Sequence, residues 1–159
     1  MTTSRTGLHA LFALLLASWP TAVAAQATQS LSIVPVQDLA FGLLLPGRRE
    51  AITINDVSRR AVVALAGSGP IDVSLVLPDA LETHAGDRIQ LHFSTGDAAL
   101  LTTGGTTLSP LDPLQVNRVL LADDRTVLFV LGGTAVTSHA TRPGHYTARV
   151  TLLLSNPGT

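Results

Sequence analysis

The chain predicts an antiparallel β-sandwich, and three observations carry that expectation. Short runs of apolar and polar residues alternate along most of its length. Turn-forming residues interrupt those runs about every eight to twelve residues, the rhythm of a sandwich. No stretch shows the three- and four-residue apolar spacing of a convincing amphipathic helix.

Residues 1–25 read as a segment outside the fold. Arg5 and His9 lie in a polar start, and Leu8 to Ala17 forms an apolar run of ten residues. That is the length of a signal-peptide core and well short of the ~20 residues a membrane helix needs. Trp19-Pro20 ends any helix there, and Val23-Ala24-Ala25 offers the small residues that signal peptidase requires. Cleavage after Ala25 is expected, with Ala27 as the alternative. The organisation is then a signal peptide over 1–25 and one β-sandwich domain over 26–159. Export follows, to the periplasm, the cell surface or the medium. Removing 25 of 159 residues leaves 134, without the only tryptophan.

From Gln26 onward the chain reads as β. Leu31 to Val36 alternates around Pro35, which suits an edge strand. Leu43-Leu44-Leu45 is followed by the Pro46-Gly47 turn. Ala51 to Ile54 and Ala61 to Leu65 are short strands. Ile71 to Leu77 has the clearest period of two: Ile71, Val73, Leu75 and Leu77 face one way, Asp72 and Ser74 the other. Ala80 to His84 is the one place compatible with a single helical turn. Arg88 to Phe93 alternates again, with Ile89, Leu91 and Phe93 inward. Ser94 to Ser109 carries one weak strand, and Val116 to Leu121 and Thr126 to Leu131 follow. The end of the chain predicts a hairpin. Phe129 to Thr137 forms its first arm, Gly132-Gly133 breaks it, and Pro143-Gly144 turns the chain into a last strand over His145 to Leu154. The total is nine or ten strands.

Composition narrows the function. Hydrophobic residues make up 46% and charged residues 13%, so a large core is available and Thr, Ser, Gly and Asp must cover the surface. All ten basic residues are arginine, and the formal net charge is −1. No basic patch stands out, which argues against a nucleic-acid partner. Cysteine is absent, which removes disulfides, zinc–thiolate sites, thiol catalysis and a lipoprotein anchor.

Two places carry a family resemblance. One is Leu31-Ser32-Ile33 followed by Gln37-Asp38-Leu39-Ala40-Phe41-Gly42. The other runs Phe129-Val130-Leu131-Gly132-Gly133-Thr134, then Pro143-Gly144-His145-Tyr146, then Val150-Thr151-Leu152. With the signal peptide, these motifs resemble the bacterial DUF4402 family. That family is secreted and similar in layout to pilin-like and spore-coat-U-like subunits. The resemblance covers the whole mature chain and implies an immunoglobulin-like sandwich. Leu131 stands where the family tends to have valine, and Leu152 to Leu154 replaces a more polar ending.

The same motifs have a physical reading. Gly42 after Phe41 suggests a bulge or a close backbone approach. Phe41, Phe93 and Phe129 are candidates for the aromatic part of the core. Tyr146 suits a corner, with its ring buried and its hydroxyl bonded to backbone.

No catalytic, cofactor-binding or metal site is expected. His84, His92, His139 and His145 survive processing. His139 and His145 flank the Pro-Gly loop and could meet across the predicted hairpin, but three or four converging ligands are not spaced for it. Asp123-Asp124 and the pair Asp87/Asp97 could be read as calcium ligands or as a glycosidase carboxylate pair. The plainer reading is turn residues bonding their own backbone. Gly104-Gly105 and Gly132-Gly133 open no helix, so they are not phosphate loops. Arg48-Arg49 and Arg59-Arg60 fit an anion site or edge protection equally well.

A non-catalytic structural or surface protein is therefore expected. It would assemble with itself or with envelope and fimbrial partners by strand pairing. The alternative is a monomeric binding module with a complete sandwich. Exposure of Leu43 to Leu45 and Leu152 to Leu154 separates the two: exposed leucines require a partner, buried ones do not.

Overall fold

In the computed structural model, residues 31–122 and 125–157 are described. The predicted signal peptide, Gln26 to Ser30 and the Asp123-Asp124 pair lie outside them. The strands are β1 (Ser32–Gln37), β2 (Arg49–Ile52), β3 (Ala61–Ala66), β4 (Gly69–Val76), β5 (Ala80–Glu82) and β6 (Arg88–His92). They continue with β7 (Ala98–Thr102), β8 (Thr107–Leu111), β9 (Asn117–Leu121), β10 (Thr126–Leu131), β11 (Gly133–Val136) and β12 (Thr151–Ser155). Every strand-to-strand pairing is antiparallel. The architecture is an all-β antiparallel sandwich, as the alternation predicts.

A five-stranded sheet has the order β1-β3-β10-β7-β8, and a three-stranded sheet has the order β12-β4-β9. Their facing side chains make the main core. Leu65, Val127, Phe129 and Leu131 from the larger sheet meet Ile71, Val73 and Val119 from the smaller. Each such side chain contributes about 1.5–3 kcal/mol on burial. A four-stranded sheet, β2-β11-β6-β5, builds a second cluster of Phe41, Ile52, Ile89, Leu91 and Ala135. Phe93 packs against both clusters.

One continuous run links the sheets. β10 pairs with β3 and β7, then passes through Gly132 into β11, which pairs with β2 and β6. Gly132 is required there. A Cβ at this position would overlap the carbonyl oxygen of Ile52, so the two backbones cross at a distance only glycine allows.

The structure corrects several expectations. β12 does not fold back on the strand before it. It pairs with β4 instead, with Leu153 opposite Ser74, and it starts at Thr151 rather than at His145. The predicted hairpin fails because its first arm changes sheets at Gly132 and is already paired on both sides. Residues 138–150 cross to the smaller sheet, and Thr147 forms an isolated bridge with Glu82. The stretch from Ser94 to Ser109 holds two strand segments: β7 and the beginning of β8, joined at residues 103–106. β7 is almost wholly buried, with Ala98, Ala99, Leu100 and Leu101 at 3% exposure or less. A strand covered on both faces shows no alternation, so the period-two test passes over it. Ala80 to Glu82 is a strand rather than a helical turn, because it pairs with β6. Gly42 lies in a loop at φ +69° with nothing near its Cβ direction, so it serves a turn and not a close approach.

Candidate functional site: an open groove between the first and last strands

The two main sheets do not match in width. Five strands face three, and openings flank the smaller sheet on both sides, the larger of them bounded by β1 and β12. Ile33 on β1 is 45% exposed, and no β1 side chain is fully buried. A groove of about 1280 Å³ runs along this side. Its apolar lining includes Ile33 of β1, Val63 of β3, Phe129 of β10, Leu75 of β4 and Leu152 of β12. The loop 38–46 lines one part of it and the segment 141–152 another.

Both lining segments are held at their ends. Thr137 Oγ1 donates to the carbonyl oxygen of Leu45 at 2.6 Å and accepts from the Arg48 amide at 2.8 Å. The Gly47 amide donates to the Ser138 carbonyl at 3.1 Å, and the His139 ring lies over Gly47. Tyr146 forms the expected corner. Its ring packs beside the second cluster, and its hydroxyl donates to the carbonyl oxygen of Arg142 at 2.7 Å. The Glu82 and Thr147 amides and carbonyls exchange bonds of 2.8 and 3.0 Å.

Between these ties, large apolar side chains face solvent. In the groove lining Leu43 is 89% exposed and Leu45 56%; Leu153, 49% exposed, lies outside the lining. Leu152 and Leu154 point inward, against the main core. The criterion set from the sequence divides: Leu43, Leu45 and Leu153 are exposed, whereas Leu44 packs on the second cluster and Leu152 and Leu154 on the main core.

A second, smaller opening of about 730 Å³ lies at the opposite side, between β8 and β9. Its floor includes Leu100 and Val119, and its rim carries hydroxyls with Arg118 and Arg125. Arg118 is already bound: its guanidinium makes two bonds to the Asp72 carboxylate, at 2.9 and 3.2 Å. Those bonds hold the Asp72 carboxyl below its ordinary pKa and raise Arg118 above its own.

The residues singled out for chemistry do not converge. His84, His92, His139 and His145 are all exposed. Among the described residues no group of three or more His, Cys, Asp or Glu could hold a metal ion. Asp97 accepts from the amide and hydroxyl of Ser94 at 2.7 and 2.9 Å, which is a turn role. Asp87 pairs with Arg142 at 3.6 Å. Arg59 is shared by Glu50 and Asp56, at 2.6 and 2.7 Å, which raises its pKa. Hydrogen bonds from Ser58 and Arg59 lower that of Asp56. Arg60 is buried; it donates to the Ile54 carbonyl, and its Nε has no partner. Arg59 is thus already paired and Arg60 buried, which takes both out of the proposed anion site. Arg49 and Glu50 lie on β2, an edge strand, where charge blocks further pairing. The groove itself was not visible beforehand. Its signal in the sequence was the pair of triple-leucine runs, which alternation alone cannot place.

No family model matches the chain, and no curated protein matches it. Among the described residues no helix is long and apolar enough to cross a membrane.

Proposed function

We propose that this is a non-catalytic secreted or cell-surface structural protein that assembles by β-strand addition. The observation that carries the reading is the open groove between β1 and β12, with solvent-exposed leucines at its mouth. An incoming strand would bond to unpaired backbone at a sheet edge and bury alternate side chains in the groove. It would supply the width that the three-stranded sheet lacks. The resemblance to the DUF4402 family and its pilin-like layout support the same reading, as does the signal-like start of the chain. Export places such a subunit in the periplasm or beyond.

The test is gel electrophoresis of protein exported from its own leader, with and without boiling. A ladder that collapses to a single band on heating is the expected result, because strand exchange is non-covalent and kinetically stable. A single monomer band in both lanes, at all concentrations, contradicts assembly and favours the monomeric binding module.

A further inference from the structure

Among the described residues the three sheets have six edges, and these are not equally guarded. β1 carries Pro35 and a register shift between Pro35 and Gln37. β8 carries Pro110 and a shift between Leu100 and Leu101 on its partner. β2 carries Arg49 and Glu50, and β5 is three residues long and ends in Glu82. β9 carries Arg118. Proline, bulges, short length and charge are the devices that keep an edge from pairing. β12, Thr-Leu-Leu-Leu-Ser, has none of them. It is also an edge that borders the groove.

The groove also has a charge pattern. Along the β12 side, residues 141–152 contain Arg142, His145 and Arg149 and no acidic residue. Among the described residues the Arg142 guanidinium has one ion pair, the 3.6 Å contact to Asp87. Arg149 has no hydrogen bond or ion pair among the described residues, and it stands two residues before β12. Among the described residues Asp38 is the one acid in the groove lining.

We infer that the free edge of β12 is the acceptor, and that its occupant is an extended, antiparallel peptide segment of defined chemistry. Its strand body is uncharged and apolar at alternate positions, to fit Ile33, Val63 and Leu152. A carboxylate follows at its C-terminal end. Antiparallel direction, which every pairing in this fold adopts, sets that end beside Thr151 and hence beside Arg149. This inference rests on the strand-addition reading and adds the edge, the direction and the charge.

The test uses two synthetic probes on the whole mature protein at low salt. One is N-acetylated Thr-Val-Thr-Leu-Thr-Val-Thr-Glu; the other ends in Lys-amide. Fluorescence anisotropy gives the dissociation constants, and hydrogen exchange locates the bound strand. The glutamate probe should bind saturably and protect amides within 151–155. Arg149→Glu should weaken the glutamate probe about three- to fivefold, the scale of an exposed ion pair, and strengthen the lysine probe by a similar factor. That exchange of preference cannot come from a loss of folding. Absence of saturable binding, protection at 32–37 or 107–111 instead, or equal affinities in all four combinations would overturn the inference. If such a result accompanies a heat-labile ladder, strand addition stands and only the acceptor edge is wrong. If the ladder is missing too, both fall.

Discussion

Tyr146 donates its hydroxyl hydrogen to the carbonyl oxygen of Arg142, four residues back, across 2.7 Å. This bond closes the turn through Pro143 and Gly144. It fixes the segment that lines the groove just before the chain enters β12. Tyr146→Phe keeps the ring and removes the bond. It should lower stability by about 0.5–1.5 kcal/mol in urea unfolding and speed exchange of the neighbouring Thr147 amide. Unchanged exchange at Thr147 would show that the corner does not hold the segment.

Gly132 marks the change from one sheet to the next. Gly132→Ala places a methyl on the Ile52 carbonyl oxygen and should cost about 3 kcal/mol, at the upper end of overpacking. Gly96→Ala is the matched control, because nothing stands within 4 Å of its Cβ position. It should stay within about 0.5 kcal/mol of the parent. Equal effects at the two sites, read by the same urea titration, would refute the close crossing.

The Asp72–Arg118 pair joins β4 to β9 and gives a pH signature. The folded pKa of Asp72 lies below its unfolded value, so the carboxylate form is favoured in the fold. Its contribution is therefore present above about pH 4, the unfolded range, and is lost as pH falls through the folded value. The parent protein should lose stability faster than Asp72→Asn between about pH 4 and pH 2. Parallel melting-temperature curves for the two proteins in that window would show the pair to be without effect.

Core and groove leucines should behave oppositely. Leu65 is fully buried in the main core, and Leu65→Ala should cost about 2–5 kcal/mol. Leu43→Ser removes an almost fully exposed side chain and should leave stability within about 0.5 kcal/mol. It should nonetheless weaken assembly, seen as a shorter unboiled ladder.

The sequence was most legible where one face of a strand is buried and the other is wet. The alternation through Ile71, Val73 and Leu75 places those side chains as the structure does, and so does the alternation through Ile89 and Leu91. It was illegible in β7, where Ala98 to Leu101 is covered on both faces and the period disappears. Pairing partners were harder still. Turn residues predict a local hairpin at the end of the chain, but β12 joins β4, some eighty residues earlier. That choice depends on Gly132 diverting the preceding strand, which is a property of two crossing backbones. The groove was hidden for the same reason. Leu43 to Leu45 and Leu152 to Leu154 read alike as apolar triplets. Only their places in the fold separate them: Leu43 stands in solvent on a loop, while Leu152 on β12 points into the core.

The central claim is that the β12 side of the sandwich is open and takes a strand from a partner. Light scattering after size exclusion tests it most directly, with the parent and Leu153→Lys run side by side. A chain cleaved after Ala25 would have no tryptophan and absorb weakly at 280 nm, so a refractive-index detector should follow it. Leu153 points away from the core, so a lysine there guards the edge without touching the packing. The parent should elute as oligomers that grow with concentration, and Leu153→Lys as a monomer with an unchanged melting temperature. A monomeric parent, or a variant that assembles as the parent does, would contradict the account.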